Sequence, residues 1–150
     1  MAKFVLMGVG NDMRGDDAAG VEIARALAGT PDWDALDCGT VPEDFTGIVR
    51  REKPESIVLA DAAEIGLAPG QIRRIPKEKM SVLCLTTHNL PLSVLIEYLE
   101  EIVGAGNVHL IGIQPKELRL GAPMSKEVEN AAKNLVKILK ENKWRNIPLL

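Results

Sequence analysis

The chain has 150 residues and a mass of 16.3 kDa, the size of one ordinary domain, which excludes two separate cores. Hydrophobic residues at 46% and charged residues at 26% exclude a disordered or fibrous chain. A net charge of −3 and only 3% aromatic residues argue against a phosphate-tracking or base-stacking surface, so no nucleic-acid partner is expected.

No apolar run approaches the roughly 20 residues of a membrane span, and Met1-Ala2-Lys3 opens no signal-type stretch. A soluble, cytoplasmic protein without a membrane partner is the expectation. Cys38 and Cys84 stand far apart in the chain, without Cys or His neighbours at zinc-finger spacing, so reduced thiols are expected rather than a disulfide framework or a zinc knuckle.

Lys3 to Met7 reads as a first strand that stops at Gly8, followed by the turn composition Gly-Val-Gly-Asn. Between Asp17 and Leu27, Val21, Ala24 and Leu27 recur every three positions with Gly20 among them, the pattern of a helix packed tightly on a sheet. Trp33 to Cys38 reads as a strand. Pro42 to Arg51 reads as a helix with Pro near its first turn and Glu43 and Asp44 at its positive end. Ser56 to Ala60 is a β-branched and aliphatic run suited to a strand covered on both faces, ending at Asp61. Gln71 to Ile75 and Val82 to Leu85 read as further strands. Pro91 to Val103 carries an apolar stripe stopped by Gly104, Val108 to Ile113 is a last strand, and Ser125 to Glu141 a last helix. Strands alternating with helices predict one α/β domain over residues 1–150: three layers, with a mostly parallel twisted sheet of about five strands and helices on both faces. The cations between Lys133 and Arg145 read as a solvated face complementing a helix's negative end.

Open α/β sheets bind ligands beyond the carboxyl ends of their strands. That edge is expected to carry Asn11, Asp16 and Asp17, then Asp37 and Cys38, Asp61, and His88. Asp17, Asp61 and His88 together offer two hard oxygens and one borderline nitrogen, a set suited to a divalent transition metal with open positions. Each alone has a plainer reading: a helix cap for Asp17, a loop tie for Asp61, a helix start for His88. Cys84 and His109 read as core or strand residues. Other signatures fail. Gly8-Val9-Gly10 lacks the third glycine of a dinucleotide fingerprint, and no phosphate loop, His-Glu-x-x-His or Gly-x-Ser-x-Gly is present.

The pieces GVGNDMRGDDAAG at 8–20, LDCGTVPED at 36–44, LADAAEIGLAPGQIRRI at 59–75, TTHNLPL at 86–92 and LIGIQP at 110–115 resemble the hydrogenase maturation endopeptidases, in order and spacing, over roughly the first 125 residues. TTHNLPL and GIQP look most like the subgroup serving hydrogenase 3. The resemblance implies a nickel site of Asp17, Asp61 and His88, with nickel supplied by the substrate rather than permanently bound. It implies catalytic roles for Asp17 and Asp37 in an aspartyl-type endopeptidase. The substrate would be the nickel-loaded precursor of a nickel-iron hydrogenase large subunit, from which a C-terminal extension is removed. A monomer is expected. Cys38 departs from the small residue usual in close relatives, which puts a thiol near the implied nickel. Two alternatives stand beside this reading: a non-catalytic nickel-binding maturation chaperone, and a peptidyl-tRNA hydrolase-like enzyme, disfavoured by the low basic content and the missing Pro-Gly after Asn11.

Overall fold

The computed structural model describes residues 2–80 and 91–150. The expected strand Val82–Leu85, Cys84 and His88 lie outside the described residues. Among the described residues five strands form one sheet: β1 (Phe4–Val9), β2 (Trp33–Gly39), β3 (Ser56–Ala62), β4 (Ile72–Ile75) and β5 (Val108–Ile113), in the order β2-β1-β3-β5-β4. The β1–β2, β1–β3 and β3–β5 pairings are parallel, whereas β4 runs antiparallel to β5 at one edge.

Alternation along the strands splits the core into two layers. Phe4, Leu6, Val58, Ala60, Ile111 and Ile113 point to one face, which α1 (Ala19–Leu27) and α5 (Lys126–Lys140) cover with Ile23, Leu27, Val128 and Leu135. Val5, Met7, Val9, Ile57, Leu59 and Leu110 point to the other, covered by Val49 of α2 (Thr46–Glu52) and by Leu92, Leu95, Ile96 and Leu99 of α4 (Leu92–Val103). The three-layer α/β domain expected from the sequence is the fold observed.

Several boundaries move, each for a local reason. The first strand does not stop at Gly8 but runs through Val9, because Gly8 serves close packing rather than a turn. A Cβ there would lie 2.1 Å from the carbonyl oxygen of Gly20 and 2.8 Å from Cβ of Ala24. The first helix begins at Ala19, not Asp17, after a 3-10 turn over Gly15–Ala18. The expected helix from Pro42 likewise opens as a 3-10 turn (Pro42–Phe45) before α2. The third strand continues past Ala60, so Asp61 is a strand residue, paired in register with Gly112, rather than the first residue of a loop. A short helix, α3 (Lys77–Met80), precedes the undescribed stretch and is tied by a Lys77–Glu100 ion pair to α4, which follows it.

The cations at the chain's end are exposed, as expected, and one of them also makes contacts with the fold. Helix α5 ends at Lys140, so Arg145 lies beyond it, 4.0 Å over the Trp144 ring, and donates to Ser56 Oγ at 3.3 Å. Trp144 in turn packs edge-on against His109 of β5, with ring centroids 4.7 Å apart. Burial first, then the charges of Arg145 and Arg74, hold the His109 imidazole below its ordinary pKa.

Two predictions follow from this packing. Gly20 lies where a Cβ would meet the Ala60 oxygen at 2.2 Å and the Val9 oxygen at 2.4 Å, both backbone atoms. Gly20→Ala is therefore expected to lower unfolding stability by about 1–3 kcal/mol or more, read as a reduced urea midpoint with an unchanged slope. For His109, the folded protein binds fewer protons than the unfolded chain as pH falls through the ordinary imidazole range. Its contribution is present above that range and lost below it, so His109→Gln should flatten the loss of stability between about pH 7 and pH 5, measured by urea unfolding across pH.

Candidate active site

The carboxyl edge of the sheet is assembled by glycines. Gly8 lets α1 approach β1, and Gly20, inside α1, rests against the backbone of Val9 and Ala60 at the ends of β1 and β3. Asp17 sits less than one helical turn before Gly20, and Asp61 directly follows Ala60. The 3-10 turn bearing Asp17 packs on β3, which bears Asp61. The structure therefore brings the elements bearing these two aspartates together near the sheet edge, and both side chains are fully buried.

Asp17 is not a helix cap: the N-cap position of α1 is Ala18, which has no side-chain cap. Its Oδ2 instead accepts a hydrogen bond from the Asn11 amide at 2.9 Å, and the Asn11 side chain accepts from the Met13 amide at 2.9 Å. Gly10, with φ +147°, permits this fold-back, since a Cβ there would overlap the Asp17 carbonyl at 1.8 Å. The loop 10–17 thus closes on its own carboxylate. Along β3, Ile57 and Leu59 face α2 and α4 while Val58 and Ala60 face α1 and α5, so Asp61 points to the α2/α4 side.

Asp16, one residue before Asp17, does different work. Its Oδ2 accepts from the amides of Lys116 (2.8 Å) and Glu117 (2.9 Å) and from Ser125 Oγ (2.9 Å), while Oδ1 accepts from the Ser125 amide (2.6 Å). Ser125 itself caps α5 by accepting from the Val128 amide at 3.3 Å. Asp16 is a fully buried clamp that welds the 115–125 loop and the start of α5 to the turn beneath Asp17. Adjacent aspartates thus serve different loops, because successive side chains of a tight turn point in different directions.

Asp37 lies within β2, on the opposite sheet face from Asp61: its neighbours Leu36 and Cys38 pack on the α2/α4 side. It is exposed, accepts from Arg25 Nε at 3.2 Å, and shares Arg25 with Asp12 and Glu22. With Gly10, Asn11 and Thr40 it borders a shallow depression of about 250 Å³. Asp37 is therefore next to the Asn11 loop but not gathered with Asp61. Cys38 is 2% exposed within the α2/α4 core, donates to the Leu36 carbonyl at 3.6 Å, and has its thiol pushed up strongly by burial and then by Asp37 and Glu43. Such a thiol is held protonated, unlike a metal-binding thiolate.

His88 cannot be placed with these residues, since it is outside the described ones. Among the described residues, no group of three His, Cys, Asp or Glu side chains comes together to hold a metal ion. Gln114 is a residue that side-chain chemistry alone did not single out. It is buried, its Oε1 accepts from the amides of Ile65 (2.8 Å) and Leu67 (3.3 Å), and its Nε2 donates to Glu64 at 2.9 Å. It thereby shapes the loop that leaves Asp61. The Gly-Ile-Gln-Pro piece that contains it was the available signal.

Comparison with known proteins decides what this edge belongs to. Residues 20–142 match the family model described as hydrogenase maturation protease. The chain belongs to the hydrogenase maturation protease family. It is 37% identical over 134 residues to the hydrogenase 3 maturation protease of Escherichia coli strain K12, covering 87% of this chain and 85% of that protein. Its fold superposes with TM-score 0.87 on the solution structure of the endopeptidase HycI from Escherichia coli, at 34% identity, covering 100% of this chain and 97% of that one. The crystal structure of a nickel-iron hydrogenase maturation protease from Thermococcus kodakarensis KOD1 gives a TM-score of 0.84 at 34% identity, covering 95% and 92%. The protein is accordingly a peptidase of hydrogenase maturation. The peptidyl-tRNA hydrolase-like alternative gives way to this membership. No helix among the described residues is long and apolar enough to cross a membrane.

The site's scaffold can be tested apart from its chemistry. Asp16→Ala leaves three part-buried amides and a hydroxyl without their buried acceptor, so a loss of about 1–3 kcal/mol in unfolding free energy is expected, measured by urea denaturation. Asp16→Asn, which keeps one acceptor oxygen, should lose less.

Proposed function

We propose that this protease removes the C-terminal extension from the nickel-loaded precursor of a nickel-iron hydrogenase large subunit, and that it recognises the nickel carried by that substrate. The observation carrying this reading is the pair of fully buried carboxylates, Asp17 and Asp61, delivered to one strand edge by neighbouring elements in a chain of this protease family. Two carboxylate oxygens suit a divalent ion. The imidazole of His88, in the Thr-Thr-His-Asn-Leu-Pro-Leu stretch between α3 and α4, adds the third ligand in this proposal.

Nickel here is cargo of the substrate. Three protein ligands leave positions for the precursor's own donors, so a loaded substrate is gripped and an empty one is not. Holding the metal holds the adjoining peptide in register, which lowers the entropy cost of attack on the scissile carbonyl. A captured ion also polarises a carbonyl or acidifies a bound water. Hydrolysis then adds water across the peptide bond: hydroxyl to the carbonyl carbon, proton to the leaving nitrogen. Asp17 is the favoured base, being buried beside the proposed metal, whereas Asp37 is turned to the opposite face and engaged by Arg25. The cytoplasm, where such a precursor is made, is the proposed location, and the enzyme is proposed to act as a monomer.

Incubating the protein with nickel-loaded and nickel-free precursor, followed by mass spectrometry of the large subunit, tests this directly. Loss of a C-terminal peptide from the loaded form alone is expected. Cleavage of both forms would retain the peptidase and remove nickel recognition. Binding with no change in mass would instead indicate the chaperone role. His88→Ala and Asp61→Asn are expected to reduce the cleavage rate at least a hundredfold, and Asp37→Asn less than tenfold, with folding checked by circular dichroism.

A further inference from the structure

Among the described residues, the two most exposed large apolar side chains, Met13 at 65% and Leu120 at 66%, stand on neighbouring loops beside the Asp16–Asp17 turn. They are not loosely displayed. The Gly121 amide donates to the Met13 carbonyl at 2.7 Å, the Asp16 amide donates to the Glu117 carbonyl at 2.7 Å, and the Asp16 carboxylate holds the Lys116, Glu117 and Ser125 amides. A fully buried carboxylate with four donors is thus committed to fixing one exposed apolar loop against another. Gly15 is part of the same joint, since a Cβ there would lie 2.4 Å from the Glu117 oxygen.

From this shelf a groove of about 480 Å³ runs between α1 and α5. Asp12, Gly15 and Ala122 form the end next to Met13 and Leu120, and Ile23, Ala132 and Val136 give an apolar floor. Its rim carries Glu22 and Asp12, which together with Asp37 share the single guanidinium of Arg25, while Glu129 is matched by Lys133. The α1 side is therefore apolar within and negative at its edge.

We infer that the Met13–Leu120 shelf and the α1/α5 groove form an exosite for the polypeptide substrate, seating an apolar segment of the precursor flanked by Lys or Arg. This rests on the proposed processing function and adds where the substrate body docks. Rigid apolar anchors beside a groove are the form in which interface energy concentrates, and the charge excess of the rim selects a cationic neighbour. The groove opens on the α1/α5 face, whereas Asp61 faces α2 and α4. A substrate bound in this way straddles the sheet edge, and its grip on the groove is separate from its grip on the metal.

Processing kinetics of the nickel-loaded precursor supply the test, with Met13→Glu/Leu120→Glu and Ala26→Trp as variants. Ala26 is an exposed groove-lining position on α1, so the tryptophan fills the groove without entering the core. Each variant is expected to raise KM about tenfold while kcat stays within about twofold, and Glu22→Lys is expected to raise KM with a weakened salt dependence. KM within twofold of the unsubstituted protein for both the shelf and the groove variants overturns the exosite, as does a fall in kcat alone. If the unsubstituted protein leaves the loaded precursor uncut, the processing function itself fails and the exosite with it.

Discussion

Everything at the functional edge depends on how closely α1 can lie on the sheet. The separation is set where Gly8 of β1 meets Gly20 of α1 and where Gly20 meets the backbone of Val9 and Ala60. Side chains at these positions would push the helix outward by the thickness of a methyl group or more, and the 3-10 turn ahead of the helix would move with it. Because Asp17 is carried on that turn and Asp61 on the strand below, the helix–sheet contact is also the spacing of the two carboxylates. Close packing without voids means the spacing has little freedom to relax.

The second constraint is the clamp made by Asp16. A carboxylate taken wholly out of water is costly unless its lone pairs are filled. Here they are filled by three amides and a hydroxyl from a loop a hundred residues away in sequence. The consequence reaches in two directions: toward the site, the turn under Asp17 is held rigid, and toward the surface, the 115–125 loop is held in a defined position beside Met13. On the other side of the site, Gln114 performs a comparable task for the 63–70 loop by filling the Ile65 and Leu67 amides. Asp61 thus leaves the sheet into a loop whose backbone is already satisfied.

The division of polar residues between the two sheet faces gives the edge its chemical logic. Asp61 faces α2 and α4, the side on which Met80 of α3 also packs. Asp37 faces α1, where Arg25 gathers it with Asp12 and Glu22 into an exposed ion-pair cluster. Buried aspartates and an exposed cluster of acidic side chains around Arg25 therefore lie on either side of one edge.

The sequence by itself determined the architecture, because apolar runs at periods of two and of three to four place Val58, Leu59, Ile23 and Leu135 inside whatever the details of packing. It also pointed to the carboxyl edge of the sheet as the place where polar residues collect, and the quoted motifs named the family. Only the tertiary structure decided the roles of neighbours that look alike in one dimension. Asp16 and Asp17 are the same residue in adjacent positions, yet one fills loop amides from position 116 onward and the other accepts from the Asn11 amide of its own loop. Gly8 looked like a turn residue until the helix packed against it. Asp37 and Asp61 both stand near the carboxyl end of a strand, but alternation turns them to opposite faces. Such assignments depend on contacts between residues far apart in the chain and on the direction of each side chain, neither of which has a signature in local composition.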